Sequence, residues 1–130
     1  MTRRQFALAL IGAGALAGCT AQAEREPAVR APAVEVVGPA VSCVQTSRIR
    51  NTVVHDDYTI DFVMDGGDVY RNTLPGRCPG LGFEERFAYQ VSTGQLCRVD
   101  TITVLQTGAG RGPTCGLGPF VPVRYAEARD

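Results

Sequence analysis

The sequence contains no lysine and no tryptophan, and it has one histidine, His55, in 130 residues. All 13 basic residues are therefore arginine, and 13 acidic residues balance them, so the chain carries no net charge. That balance excludes the strongly basic surface on which nucleic acid is usually held, and no nucleic-acid partner is expected. A single histidine and the absence of a Cys-x-x-Cys pair argue against both a zinc site and a thiol–disulfide exchange centre. Nowhere is there an apolar run of the ~20 residues that a membrane-spanning helix requires. The glycine-rich stretch Gly108-Ala109-Gly110-Arg111-Gly112 lacks the Gly-Lys-Ser/Thr of a phosphate-binding loop and continues into Pro113-Thr114-Cys115, so it reads as an ordinary loop.

What is present begins with an export signal. Met1 to Arg4 is short and basic, Phe6 to Ala17 is apolar or small throughout, and Leu16-Ala17-Gly18-Cys19 closes the run with small residues. The tetrapeptide resembles the lipobox of bacterial lipoproteins, in which the cysteine is acylated on sulfur and becomes the mature N-terminus. That resemblance implies a signal peptide over residues 1–18, lipidation of Cys19, and attachment to a membrane through lipid alone. At ~0.8 kcal/mol per buried methylene, several acyl chains on one cysteine hold a protein durably where a single chain does not. Thr2-Arg3-Arg4-Gln5-Phe6 also resembles a twin-arginine export motif, although paired arginines equally suit the general secretory route. Thr20 stands where an aspartate favours retention in the inner membrane, so the lipoprotein resemblance implies the periplasmic face of the outer membrane. Cleavage before Cys19 leaves 11 arginines against 13 acidic residues.

Residues 19–41 are rich in alanine, with Pro27, Pro32 and Pro39 interrupting any regular period, and are expected to form a flexible tether, with a short helix or strand around Val34 to Val37 as the alternative. Residues 42–130 then form one small domain of roughly 90 residues, a size that benefits from covalent staples. Once Cys19 is set aside, Cys43, Cys78, Cys97 and Cys115 remain, an even number in a small exported domain and the usual sign of two disulfides. Three pairings are compatible with four cysteines.

Between Asn51 and Leu74 the pattern alternates between strand and turn. Val53-Val54 precedes an Asp56-Asp57 turn; Tyr58, Ile60, Phe62 and Met64 alternate with Thr59, Asp61 and Val63; Asp65-Gly66-Gly67-Asp68 reverses the chain into Val69 to Leu74. This predicts an antiparallel meander with Asp61 on its polar face. Phe83 to Val91 fits a helical turn at its start and a strand in its second half. Leu96 to Leu105 reads as one β-branched strand and Phe120 to Val123 as the last, with Pro122 suited to an edge. The expected fold is all-β, a small antiparallel barrel or sandwich of five to six short strands. Its expected core is Ile60, Phe62, Leu74, Phe87, Ile102, Val104 and Phe120.

The segments Ser47-Arg48-Ile49-Arg50, His55-Asp56-Asp57-Tyr58-Thr59-Ile60, Tyr70-Arg71-Asn72-Thr73-Leu74 and Cys78-Pro79-Gly80-Leu81 resemble an uncharacterised family of small exported proteins and lipoproteins of Gram-negative bacteria. The likeness extends from Cys43 to about Val123. It implies a Cys78–Cys115 bridge, and with it a Cys43–Cys97 bridge, but no activity.

Candidate chemistry is sparse, and neither cofactor nor metal is expected. Asp61, Asp65 and Asp68 lack the spacing of a calcium loop and suit hairpin turns. His55 beside Asp56 and Asp57 could orient a serine such as Ser47 or Ser92 in a small periplasmic hydrolase, yet a solvated turn histidine is the simpler expectation. Glu84 and Glu85, as strand neighbours, would point to opposite faces. Tyr58, Tyr70 and Tyr89 with Arg48, Arg50 and Arg71 have the composition of a recognition surface for an anionic or carbohydrate ligand. The reading that follows is a lipid-anchored binding or structural module of the cell envelope, with a protein or glycan partner.

Overall fold

The computed structural model describes residues 30–108 and 110–126. The expected signal peptide over residues 1–18 and the lipobox-like segment ending in Cys19 lie outside the described residues. The architecture is all-β, antiparallel and sandwich-like, without a closed barrel. Ten strands occur among the described residues: β1 (Val34–Val36), β2 (Cys43–Gln45), β3 (Ile49–Val54), β4 (Thr59–Met64), β5 (Val69–Thr73), β6 (Phe87–Ala88), β7 (Gln95–Cys97), β8 (Thr101–Gln106), β9 (Gly110–Gly116) and β10 (Phe120–Tyr125). A 3-10 turn over Thr46–Arg48 and one helical turn, α1 (Leu81–Glu84), are the other elements among the described residues. The strands form a five-stranded sheet ordered β1-β10-β5-β4-β3, a pair β2-β7, and a three-stranded sheet β6-β8-β9.

The meander expected between Asn51 and Leu74 is β3-β4-β5. Gly66 and Gly67 both take positive φ at its second reversal, a backbone region that side chains bearing a Cβ rarely enter. Ile60, Phe62 and Met64 project from β4 into a core shared with Leu74, Leu81, Leu96, Ile102, Val104 and Phe120. Phe62 meets Phe120 edge-on at a 5.3 Å centroid separation and Phe87 at 6.2 Å, so one ring ties the large sheet to the small one. Buried Asn72 donates to the Gly118 carbonyl and accepts from the Gly118 amide, which fixes the turn before β10. A Cβ on Gly118 would collide with the Thr73 carbonyl.

Four readings of the sequence are corrected. Part of the expected tether belongs to the domain: β1 pairs with β10, and the Arg30 amide donates to Asp56. Leu96 to Leu105 is two strands, because Cys97 to Asp100 forms a turn closed by the Asp100 carboxylate on the Cys97 amide and the Asp100 amide on the Cys97 carbonyl. The loop reading of Gly108 to Gly112 holds only for the reversal; β9 starts at Gly110 and was hidden by the low strand propensity of Gly-Arg-Gly-Pro. Pro122 lies inside the sheet, between β1 and β5. The sheet tolerates it because its carbonyl side faces Val37, where the chain between the Val36–Val123 pair and the Val41–Phe120 bridge carries two extra residues and leaves no regular ladder to interrupt.

The disulfides are Cys43–Cys97, which joins β2 to β7, and Cys78–Cys115, which ties the loop after β5 to β9. This is the pairing that the family resemblance implies. The bridges span sequence separations of 54 and 37 residues. Chain entropy assigns about 4 kcal/mol to each, comparable with the whole net stability of so small a domain. Replacing Cys78 and Cys115 together by serine is therefore expected to lower unfolding free energy in urea by about 4 kcal/mol. Peptide mapping without reductant should recover only the two named bridges.

Candidate functional site

The far face of the five-stranded sheet carries a buried carboxylate. On β4, Thr59, Asp61 and Val63 alternate with the core residues, so Asp61 points away from the core, yet its side chain has no exposure. Register explains how it is enclosed. Asp61 stands opposite Arg71 on β5 and Val53 on β3. The chain from Arg30 to Pro32 lies over it: the Arg30 amide is held by Asp56, and the Pro32 carbonyl accepts from Arg71 Nη1 at 2.9 Å.

Four donors converge on the carboxylate. Arg71 Nε reaches Oδ1 at 2.8 Å, while Oδ2 accepts from Arg71 Nη2 at 3.0 Å, His55 Nε2 at 2.7 Å and the Tyr125 hydroxyl at 2.7 Å. The bidentate fork is the geometry for which guanidinium surpasses ammonium, consistent with arginine at this position. Burial alone would raise the Asp61 carboxyl. Hydrogen bonds from Arg71, Tyr125 and His55, with the Arg71 charge, overrule it and hold the group below its ordinary value. The same contacts raise Arg71, chiefly through its hydrogen bond to Asp61. Burial and the Asp61 carboxylate together push the Tyr125 hydroxyl up to about 12. Since an ionised carboxylate only accepts, His55 must carry its proton on Nε2 here.

The neighbouring carboxylates are structural. Asp56 accepts from the Tyr58 and Arg30 amides; burial would raise it, but those amides, the Thr59 hydroxyl and the Ala31 amide together lower it. Asp57 accepts from Arg77 Nε at 3.0 Å and from the Gly82 amide at 2.8 Å. Together they hold the β3–β4 turn against both the incoming chain and α1.

His55 is therefore not a solvated turn histidine: its side chain is 13% exposed and its partner is Asp61, two residues into β4, rather than Asp56 or Asp57. Asp61 in turn does not lie on a solvated face. Asp65 and Asp68 stay exposed on the hairpin, and no group of three metal-ligating side chains occurs among the described residues. Ser47 and Ser92 do not hydrogen-bond to His55. Glu84 ends α1 and accepts from the Thr107 amide and hydroxyl, while Glu85 follows it in a left-handed conformation rather than on a strand. The supposed tyrosine–arginine surface is divided. Arg71 is committed to Asp61, Tyr70 and Arg48 line a recess of about 220 Å³, and Tyr89 and Arg50 line another of about 480 Å³. Tyr125, which sequence reading passed over, was signalled by its alternation with Val121 and Val123 on one face of β10.

No family model, curated protein or solved structure matches the chain.

Two measurements follow from the cluster. Removing the Asp61 charge leaves Arg71 buried without its counter-ion, so Asp61→Asn is expected to cost about 3–5 kcal/mol in urea unfolding at pH 7. Because the folded-state Asp61 and Asp56 carboxyls lie below the ordinary 3.8, their contribution is complete above about pH 4 and is lost as pH falls through the folded values. Tyr125 behaves oppositely: stability present below its ordinary value of 10.0 is lost as pH rises toward about 12. Urea midpoints should therefore fall at both extremes, with the alkaline loss reduced in Tyr125→Phe.

Proposed function

We propose that the protein is a lipid-anchored periplasmic module, held at a membrane through Cys19 and acting by binding rather than by catalysis. The observation that carries this reading is the basic, apolar and small-residue order that ends in Leu16-Ala17-Gly18-Cys19. Two disulfides in so small a domain agree with an oxidising compartment. The ordered strap shortens the leash: eleven residue steps separate Cys19 from Arg30, so the anchor lies within roughly 38 Å of the β3–β4 turn. The domain then works close to the bilayer, and the outer membrane is the favoured site.

The Asp61 cluster weighs against the hydrolase reading. A hydrolase reading gains the 2.7 Å His55–Asp61 contact, which resembles the orienting half of a nucleophile–base–acid relay. However, the carboxylate is already occupied by Arg71 and Tyr125, and neither Ser47 nor Ser92 is bonded to the imidazole. The arrangement is a lock between sheet and strap.

In a Gram-negative host grown with labelled palmitate, the wild-type chain should incorporate label and fractionate with membranes. Cys19→Ala should abolish the label and release the domain to the soluble periplasmic fraction. An unlabelled wild-type chain with free thiols would overturn the reading.

A further inference from the structure

Two irregularities of strand pairing deliver arginines to one groove. In β3, Ile49 pairs with Met64 and Asn51 with Val63, so Arg50 is an extra residue with no partner on β4. In β9, Thr114 pairs with Thr103 and Arg111 with Leu105, so Gly112 and Pro113 together face Val104. A bulge reverses the face on which the following residues stand. With unbroken register, Arg111 would oppose Gln106 and share the inward face of Ile102 and Val104. The bulge places it opposite Leu105, on the outer face with Thr101 and Thr103.

That outer face and the start of β3 line two recesses of about 300 and 480 Å³ that have Tyr89 and Leu105 in common, so they adjoin across these two side chains and are together termed the groove. Arg111 stands in one part, and Arg50 and Arg86 stand in the other. Glu85 is the sole acid among the lining residues, so the groove is net cationic in a chain with no net charge overall. Arg71, Arg77 and Arg124 are paired with carboxylates, whereas none of the three groove arginines has a carboxylate within ion-pair distance among the described residues. Tyr89 lines both parts, half-buried against the core with its ring tilted against Phe87 at 6.4 Å. The remaining lining includes hydroxyls and amides, Thr101, Thr103, Gln90 and Thr52 among them.

We propose that this groove binds an acidic oligosaccharide, with sugar carboxylates on Arg50, Arg86 and Arg111 and a ring face against Tyr89. Guanidinium groups match carboxylates bidentately, and aromatic and arginine side chains are favoured at recognition surfaces. Threonine, asparagine and glutamine side chains alternate in the lining with Ile49, Ala88, Phe87 and Leu105, a mixture that suits the hydroxyls and the apolar ring faces of a sugar. The assignment rests on the envelope-binding reading above and names its ligand class.

The test uses the full-length chain from membranes, purified in detergent, with tetragalacturonate as probe in calorimetric titration. Binding is expected to weaken at least tenfold in Arg50→Ala/Arg111→Ala and in Tyr89→Ala. It should weaken as salt rises and be unchanged in Arg98→Ala, an exposed arginine that lines neither recess. Absence of binding, equal binding by the double variant, or equal affinity for neutral maltotetraose overturns the assignment. Displacement by equimolar glycerol 3-phosphate overturns it in favour of a lipid headgroup. Palmitate content is read on the same preparation, so a lipidated chain that fails to bind removes the groove assignment alone, whereas an unlipidated one removes the anchoring reading.

Discussion

An ionised carboxylate that cannot reach water must be surrounded by donors, and the far side of this sheet is arranged around that requirement. Asp61 draws Arg71 from the adjacent strand, His55 from the preceding turn and Tyr125 from the end of β10. Arg71 uses a further nitrogen to hold Pro32. Elements far apart in sequence thus depend on one charge, and the cost of desolvating it is recovered only while all of them are in place. This dependence makes the entry strap part of the domain. Without its carbonyl and backbone over the sheet, the ion pair would be open to water on one side.

The opposite face is organised by hydrophobic burial, with Phe62 meeting Phe87 and Phe120, and by covalent bridges at its margins. The two faces solve different problems. The core side supplies area removed from water, limited in a domain of this size. The Asp61 side supplies specificity of arrangement, because a bidentate pair with two further donors is satisfied by few geometries. Asn72 adds a smaller version of the same device by reproducing a backbone pairing with Gly118.

The strands most legible in the sequence were those whose side chains alternate without exception. The β3-β4-β5 meander follows from Val53-Val54, the run from Tyr58 to Met64 and the glycine reversal at Gly66-Gly67; the expected core residues are buried or, for Phe87, packed against the core. Alternation assigns a face but does not say what covers it. Alternation therefore placed Asp61 correctly away from Ile60 and Phe62 but gave no sign of its burial, since its cover comes from Pro32 and Tyr125, 29 and 64 positions away. His55 was misjudged for the same reason: its sequence neighbours Asp56 and Asp57 turn toward Arg30, Arg77 and Gly82 instead. Tether and strand were equally hard to separate at Val34–Val36, where three residues form a strand only because β10 offers an edge.

The groove was least legible, for a reason that can be stated generally. A period-two reading assumes constant register, and a single extra residue inverts every assignment beyond it. Arg50 and Arg111 are both placed by such insertions, so no pattern of alternation marks them as members of one surface. The bulge in β9 is itself built from Gly112 and Pro113, residues that weaken a strand signal while permitting the irregular pairing. Features that obscured this strand in the sequence are therefore the ones that re-aim its arginine, and residues poor in strand propensity between two good strands are the places to look for side chains turned to a second use.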